Sequence, residues 1–133
     1  DTPAGRIGTV WGDDGWNPEP VRCLMLGGSE AVVWYGDGKR LRDISVKVAR
    51  TRAAENRIFL LYFHGGEDAL VAGPSGAVLA ETLDEGDQAV SAMIRRSESR
   101  GKTVVPGTNI VSGRRPSAYG GLVGEKGANG SHD

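Results

Sequence analysis

The sequence predicts a β-dominated α+β domain: a small, strongly bent barrel over residues 5–50, then further strands, one helix in the C-terminal half and a flexible glycine-rich tail. Three observations carry that prediction. Glycine supplies 21 of 133 residues, well above the roughly 7% average, which favours turns and disfavours a helical bundle. Short apolar runs are cut by Asp-Gly and Gly-Gly pairs, and Asp-Gly is a strong hairpin signal because both central positions favour positive φ. A single credible helix cannot cover the apolar runs that remain.

In chain order, residues 6–11 are a candidate strand, turned by Asp13-Asp14-Gly15 into a proline-bounded loop over residues 17–20. Residues 21–26 form a mostly apolar strand ended by Gly27-Gly28, and residues 31–35, rich in β-branched and aromatic side chains, form the next. Over residues 41–48, Ile44, Val46 and Val48 alternate with Ser45 and Lys47, the period-2 pattern of a half-buried strand. Residues 57–63 are the most continuous apolar run and read as an internal strand covered on both faces. Gly73-Pro74-Ser75-Gly76 separates two further apolar runs as a second hairpin. The helix begins at Asp84, carries Glu85 and Asp87 in its first turn and Arg95 and Arg96 in its last, and stops at Gly101. Ala89, Val90, Met93 and Ile94 would form its apolar stripe. The expected organisation is one globular domain over residues 1–101, with a barrel-like part (5–50) and strands plus a helix (57–101), followed by an extended arm over 102–133.

Bulk properties exclude several classes. The net charge of −1 gives no global attraction to nucleic acid or membrane. The single Cys23 rules out an internal disulfide, no apolar run reaches the roughly 18 residues of a membrane span, and Asp1 does not open a signal peptide. The expected location is therefore cytoplasm, nucleus or virion, without secretion or membrane association. Metal ligands are sparse, with His64, His132 and Cys23 the only soft donors, so neither a metal nor another cofactor is expected. Cys23 sits in an apolar run and reads as a small core residue more than a nucleophile. Phe63-His64-Gly65-Gly66 resembles the oxyanion-hole segment of lipases, but no G-x-S-x-G elbow accompanies it. Gly73 to Gly76 lack the lysine and hydroxyl that a phosphate loop needs.

Local charge is more informative than net charge. Between Lys39 and Arg57 seven basic residues face two acids, Asp43 and Glu55. Such a run either tracks phosphates, releasing counterions at each contact, or is a solvated face paired with the domain's own acids. The tryptophans Trp11, Trp16 and Trp34 fall in the same half, and either cap a small barrel or form an aromatic cage for a methylated ammonium.

Residues 5–48 resemble the PWWP domain, one of the SH3/Tudor-like barrels. Val10-Trp11-Gly12 is similar to that family's first strand, the Trp16-Asn17-Pro18-Glu19-Pro20 stretch to its signature loop, and Val33-Trp34-Tyr35-Gly36-Asp37-Gly38-Lys39 to its third strand and hairpin. The resemblance implies Trp16 and Trp34 as ligand-binding cage walls and Asp37 as the acidic partner. It also implies Lys39, Arg40, Arg42 and Lys47 as nucleic-acid contacts. Pro18 and Glu19 depart from the family's two central tryptophans. The reading is a non-enzymatic binding module for nucleic acid or a modified peptide, engaging a protein partner or its own copies. The alternative is a phage or virion structural or assembly protein whose tail orders against neighbouring subunits. Sparse histidine and cysteine argue against a small enzyme.

Overall fold

A computed structural model of the chain describes residues 2–3, 5–38, 41–65, 68–82 and 89–124. A five-stranded sheet runs in the order β1 (Ile7–Trp11), β2 (Ala31–Gly36), β3 (Phe59–His64), β4 (Asp68–Ala72) and β5 (Val78–Glu81). β1, β2 and β3 are parallel, and β4 and β5 join antiparallel. Parallel neighbours need a crossover connection. Two helices supply it: α1 (Pro18–Leu26) links β1 to β2, and α2 (Arg42–Asn56) links β2 to β3. The sheet stays open, with β1 and β5 as its edges, so the bent barrel predicted for residues 5–50 is absent. The PWWP/Tudor resemblance falls with it, because two of the segments it treats as barrel or loop are helices.

Each helix has a local cause that strand periodicity concealed. Asn17-Pro18-Glu19-Pro20 is a helix start: proline in the first turn forfeits no intrahelical hydrogen bond, and Glu19 sits favourably at the positive end of the dipole. Val21 and Met25, four residues apart, then both reach the core. In α2 the buried positions are Ser45, Ala49, Ala53 and Asn56, a stripe of small groups at helical spacing that lets the helix lie close to the sheet. Ile44 is 47% exposed, while Val46 and Val48 only flank the core. Their alternation carries no strand. Arg57 closes α2 in the left-handed region at φ 51°.

Both helices cover one face of the sheet, where Val10, Val32, Trp34, Leu60, Tyr62, Leu70 and Ala72 pack with Val21, Met25, Ala49 and Ala53. Strand alternation puts Ile7, Trp11, Tyr35, Leu61 and Phe63 on the opposite face. There Trp11 is 71% and Tyr35 42% exposed.

The second half holds the strands expected near 57–63 and the hairpin around Gly73 to Gly76, now as β3, β4 and β5. Of the helix expected over 84–101, residues 83–88 lie outside the described residues. Residues 89–95 have no regular structure, and only α3 (Arg96–Arg100) is helical. Its arginines dock it: Arg96 Nε and Arg100 Nε donate to the two Glu30 carboxylate oxygens at 2.8 and 2.7 Å. Those bonds hold the Glu30 carboxyl below its ordinary pKa. Lys102 Nζ donates to the Asn56 and Arg57 carbonyls at 3.1 and 2.9 Å, capping α2. Burial, with the Arg57 and Arg22 cations nearby, pushes its pKa down to about 8. A small hairpin of β6 (Thr103–Val105) and β7 (Thr108–Asn109) and a short α4 (Gly120–Val123) follow. Among the described residues, no helix is long and apolar enough to cross a membrane.

Candidate active site

Three parallel strands ending together create the edge at which open α/β sheets bind ligands. Here that edge is formed by Trp11 and Gly12 after β1, Gly36 and Asp37 at the end of β2, and His64 and Gly65 at the end of β3. Gly12 turns the chain from β1 into a single 3₁₀ turn, Gly12–Gly15, ahead of α1, and adopts φ +52°. A Cβ built on it would meet nothing within 4 Å. The turn is held from below: Trp34 Nε1 donates to the Gly12 carbonyl at 2.9 Å, and Gly15 lies against the face of the same indole. Gly38 (φ +72°) and Gly65 (φ +60°) bring the loops after β2 and β3 into backbone contact, where a Cβ on Gly65 would lie 3.0 Å from the Gly38 Cα. Glycine is required at both positions by conformation and by space.

Trp11, Tyr35 and Phe63 stack across the three strands beside this edge, with centroids 5.2 and 4.9 Å apart. On the helix-covered face the Tyr62 hydroxyl and His64 Nδ1 are 2.7 Å apart. Burial raises the Tyr62 pKa, with a hydrogen bond to Ser45 acting the other way. A polar chain thus runs from Ser45 on α2 through Tyr62 to His64 at the edge. His64 Nδ1 accepts from Tyr62 or donates to it according to tautomer, and that choice sets the protonation of Nε2. No group of three metal-ligating side chains occurs among the described residues.

The residues singled out from the sequence fall in different places. Trp34 is fully buried, tilted against Tyr62 at 4.6 Å and edge-on to Trp16 at 6.1 Å. Asp37 follows the end of β2 at the strand-end edge, whereas Trp34 lies within β2 and is buried. Arg42 sits at the start of α2 and pairs with Asp68 at 2.9 Å and Glu81 at 3.4 Å. Lys47 is exposed on the same helix, and Lys39 and Arg40 lie outside the described residues. Cys23, read from the sequence as a core residue, is exposed on α1. Gly12 and Tyr62 were read only as parts of strands, because a glycine in a turn and an aromatic in a strand carry no chemical signature alone. Their significance comes from strand order.

No family model and no curated protein matches the chain. Solved structures do. A carbon–nitrogen hydrolase from Helicobacter pylori superposes with a TM-score of 0.78 over 94% of this chain and 51% of that one, at 20% identity. The fold is that of about half of this hydrolase. Nit3 from Saccharomyces cerevisiae, a member of branch 10 of the nitrilase superfamily, matches at TM-score 0.50 and 19% identity, over 61% of this chain and 34% of that one. A variant of the amidase from Nesterenkonia sp., with acrylamide joined by Michael addition to its active-site cysteine, matches at TM-score 0.50 and 27% identity, covering 62% and 37% of the two chains. The chain spans about half the length of the hydrolase it matches over most of its own residues. These matches overturn the readings as a non-enzymatic binding module, a DNA-binding barrel and a virion component: the solved neighbours are a carbon–nitrogen hydrolase, a nitrilase-superfamily member and an amidase.

Proposed function

We propose that the chain carries an amide-hydrolysing site of the carbon–nitrogen hydrolase type, at the common end of β1, β2 and β3. One observation supports the reading: the left-handed turn at Gly12 opens into free space at the common end of three parallel strands, in a sheet that superposes on about half of a carbon–nitrogen hydrolase. The 27% identity to an amidase favours amides as the substrate class. The exposed aromatic face bearing Trp11 and Tyr35 would then meet a second sheet, completing an α-β-β-α sandwich and walling the site on its open side.

The test is ammonia release from small primary amides such as propionamide, measured with the chain in micromolar amounts. Saturable release that tracks the folded protein through purification is expected. Absence of ammonia from any small amide, with the protein folded, would overturn the assignment.

A further inference from the structure

This inference rests on the proposed amide site and concerns its attacking group. The related amidase carries an active-site cysteine that adds to acrylamide. The present chain has one cysteine, and its place in the fold is informative. Cys23 is in the second turn of α1, exposed. Its neighbour Leu24 packs on the start of β1, because a Cβ at Gly8 would lie 2.9 Å from the Leu24 side chain. The Leu24 carbonyl also accepts from the Ser29 amide at 3.0 Å, just before β2 begins. The helix has therefore carried Cys23 back toward the N-terminal ends of the strands, the end opposite Gly12, Gly36 and His64.

The strand–turn–helix that does face the site has Gly12 at its apex. In α/β-hydrolases the nucleophile stands on such a strand–turn–helix elbow, where a strained backbone exposes the side chain above the sheet. Gly12 has the left-handed backbone, an open Cβ direction and a turn pinned by Trp34, but no side chain. We propose that Gly12 marks the nucleophile position of this site, that the position is vacant, and that Cys23 takes no part in the chemistry. An amide turned over here is attacked by water directly. The water oxygen bonds to the carbonyl carbon, the C–N bond breaks, and the nitrogen leaves as ammonia with the water proton, so no thioester forms.

Three variants of the full chain test this by acrylamide labelling and mass spectrometry. In the addition, a thiolate sulfur bonds the terminal alkene carbon, and the adjacent carbon takes a proton from water. Cys23→Ser should remove all acrylamide addition and leave ammonia release within two-fold of the parent. Gly12→Cys in the Cys23→Ser background should add one acrylamide at least ten-fold faster than Cys23 does in the parent. Asp13→Cys in the same background, one residue along the turn, should label at the Cys23 rate. Loss of ammonia release in Cys23→Ser, or labelling of Gly12→Cys no faster than Cys23, overturns the proposal. A parent chain that releases no ammonia sinks the hydrolase reading alone, since the labelling comparison still decides the elbow. Should Gly12→Cys not fold, titrating the parent with propionamide keeps the question open to refutation. The Gly12 backbone amide resonance should move while that of Cys23 stays, and the reverse pattern overturns the proposal.

Discussion

Replacing Gly15 by alanine tests the device that holds the elbow in place. A Cβ there would lie 2.0 Å from Trp34 Cε2 and 2.3 Å from Cδ2 and Nε1. The indole cannot yield easily. It is fully buried, rests on Tyr62 and Trp16, and is tied to the Gly12 carbonyl. Restoring an ordinary carbon–carbon separation of about 3.5 Å needs a shift of more than an ångström in the ring or the turn. Overpacking of this kind costs about 1–3 kcal/mol, and losing the Trp34–Gly12 hydrogen bond adds about 1 kcal/mol. A total of about 2–4 kcal/mol is a large share of a typical 5–15 kcal/mol stability. Urea unfolding followed by tryptophan fluorescence reads it directly. In a Trp34→Leu background the ring is gone, so Gly15→Ala should cost at least about 1 kcal/mol less than in the parent. Gly15→Ala unfolding within about 0.5 kcal/mol of the parent, or full additivity with Trp34→Leu, would refute the account of the turn.

Three further outcomes follow from the structure. Leu60, fully buried on the central strand β3, should cost about 2–5 kcal/mol on truncation to alanine, read as a lowered urea midpoint. Lys102 has a folded pKa of about 8, below its ordinary value. Its native state therefore binds fewer protons than the unfolded chain between about pH 8 and 10. Stability should rise with pH across that window in the parent and rise less in Lys102→Met, as seen in thermal melts. Glu30 has a lowered folded pKa from its bonds to Arg100 and Arg96, so its contribution is present above the ordinary carboxylate range and lost as pH falls through the folded value. Hydrogen exchange in α3 should accelerate at acid pH, and in Glu30→Gln already at neutral pH.

How much of this was legible in the sequence depended on periodicity. β1, β2, β3 and the β4–β5 hairpin are readable because β-branched and aromatic runs bounded by glycine leave little choice. The two helices that decide the fold were not read. α1 shows a mostly apolar run from Val21 to Leu26, and strand and helix look alike over so short a stretch. The Pro-Glu-Pro start was the available signal. α2 buries small residues, so its core stripe of Ser45, Ala49 and Ala53 is nearly silent on a hydropathy reading, while the flanking Ile44, Val46 and Val48 mimic a strand. Misreading both turned a crossover sheet into a barrel. The site was lost with them, because the nearness of Gly12, Gly36 and His64 exists only once three strands run parallel. Trp34 shows the same dependence: an aromatic beside an Asp-Gly turn reads as a binding wall, and the strand register makes it the buried support of the elbow.

The most direct measurement of the central claim is a nuclear Overhauser spectrum of the labelled chain, read at Trp34. Parallel β1, β2 and β3 predict contacts linking Trp34 to Val10 on one side and to Tyr62 on the other, following the strand register. They also predict sequential helical contacts throughout residues 42–56. Contacts from Trp34 to an extended, antiparallel segment over residues 41–48 would contradict the account, because they would close the barrel and abolish the edge on which the site is built.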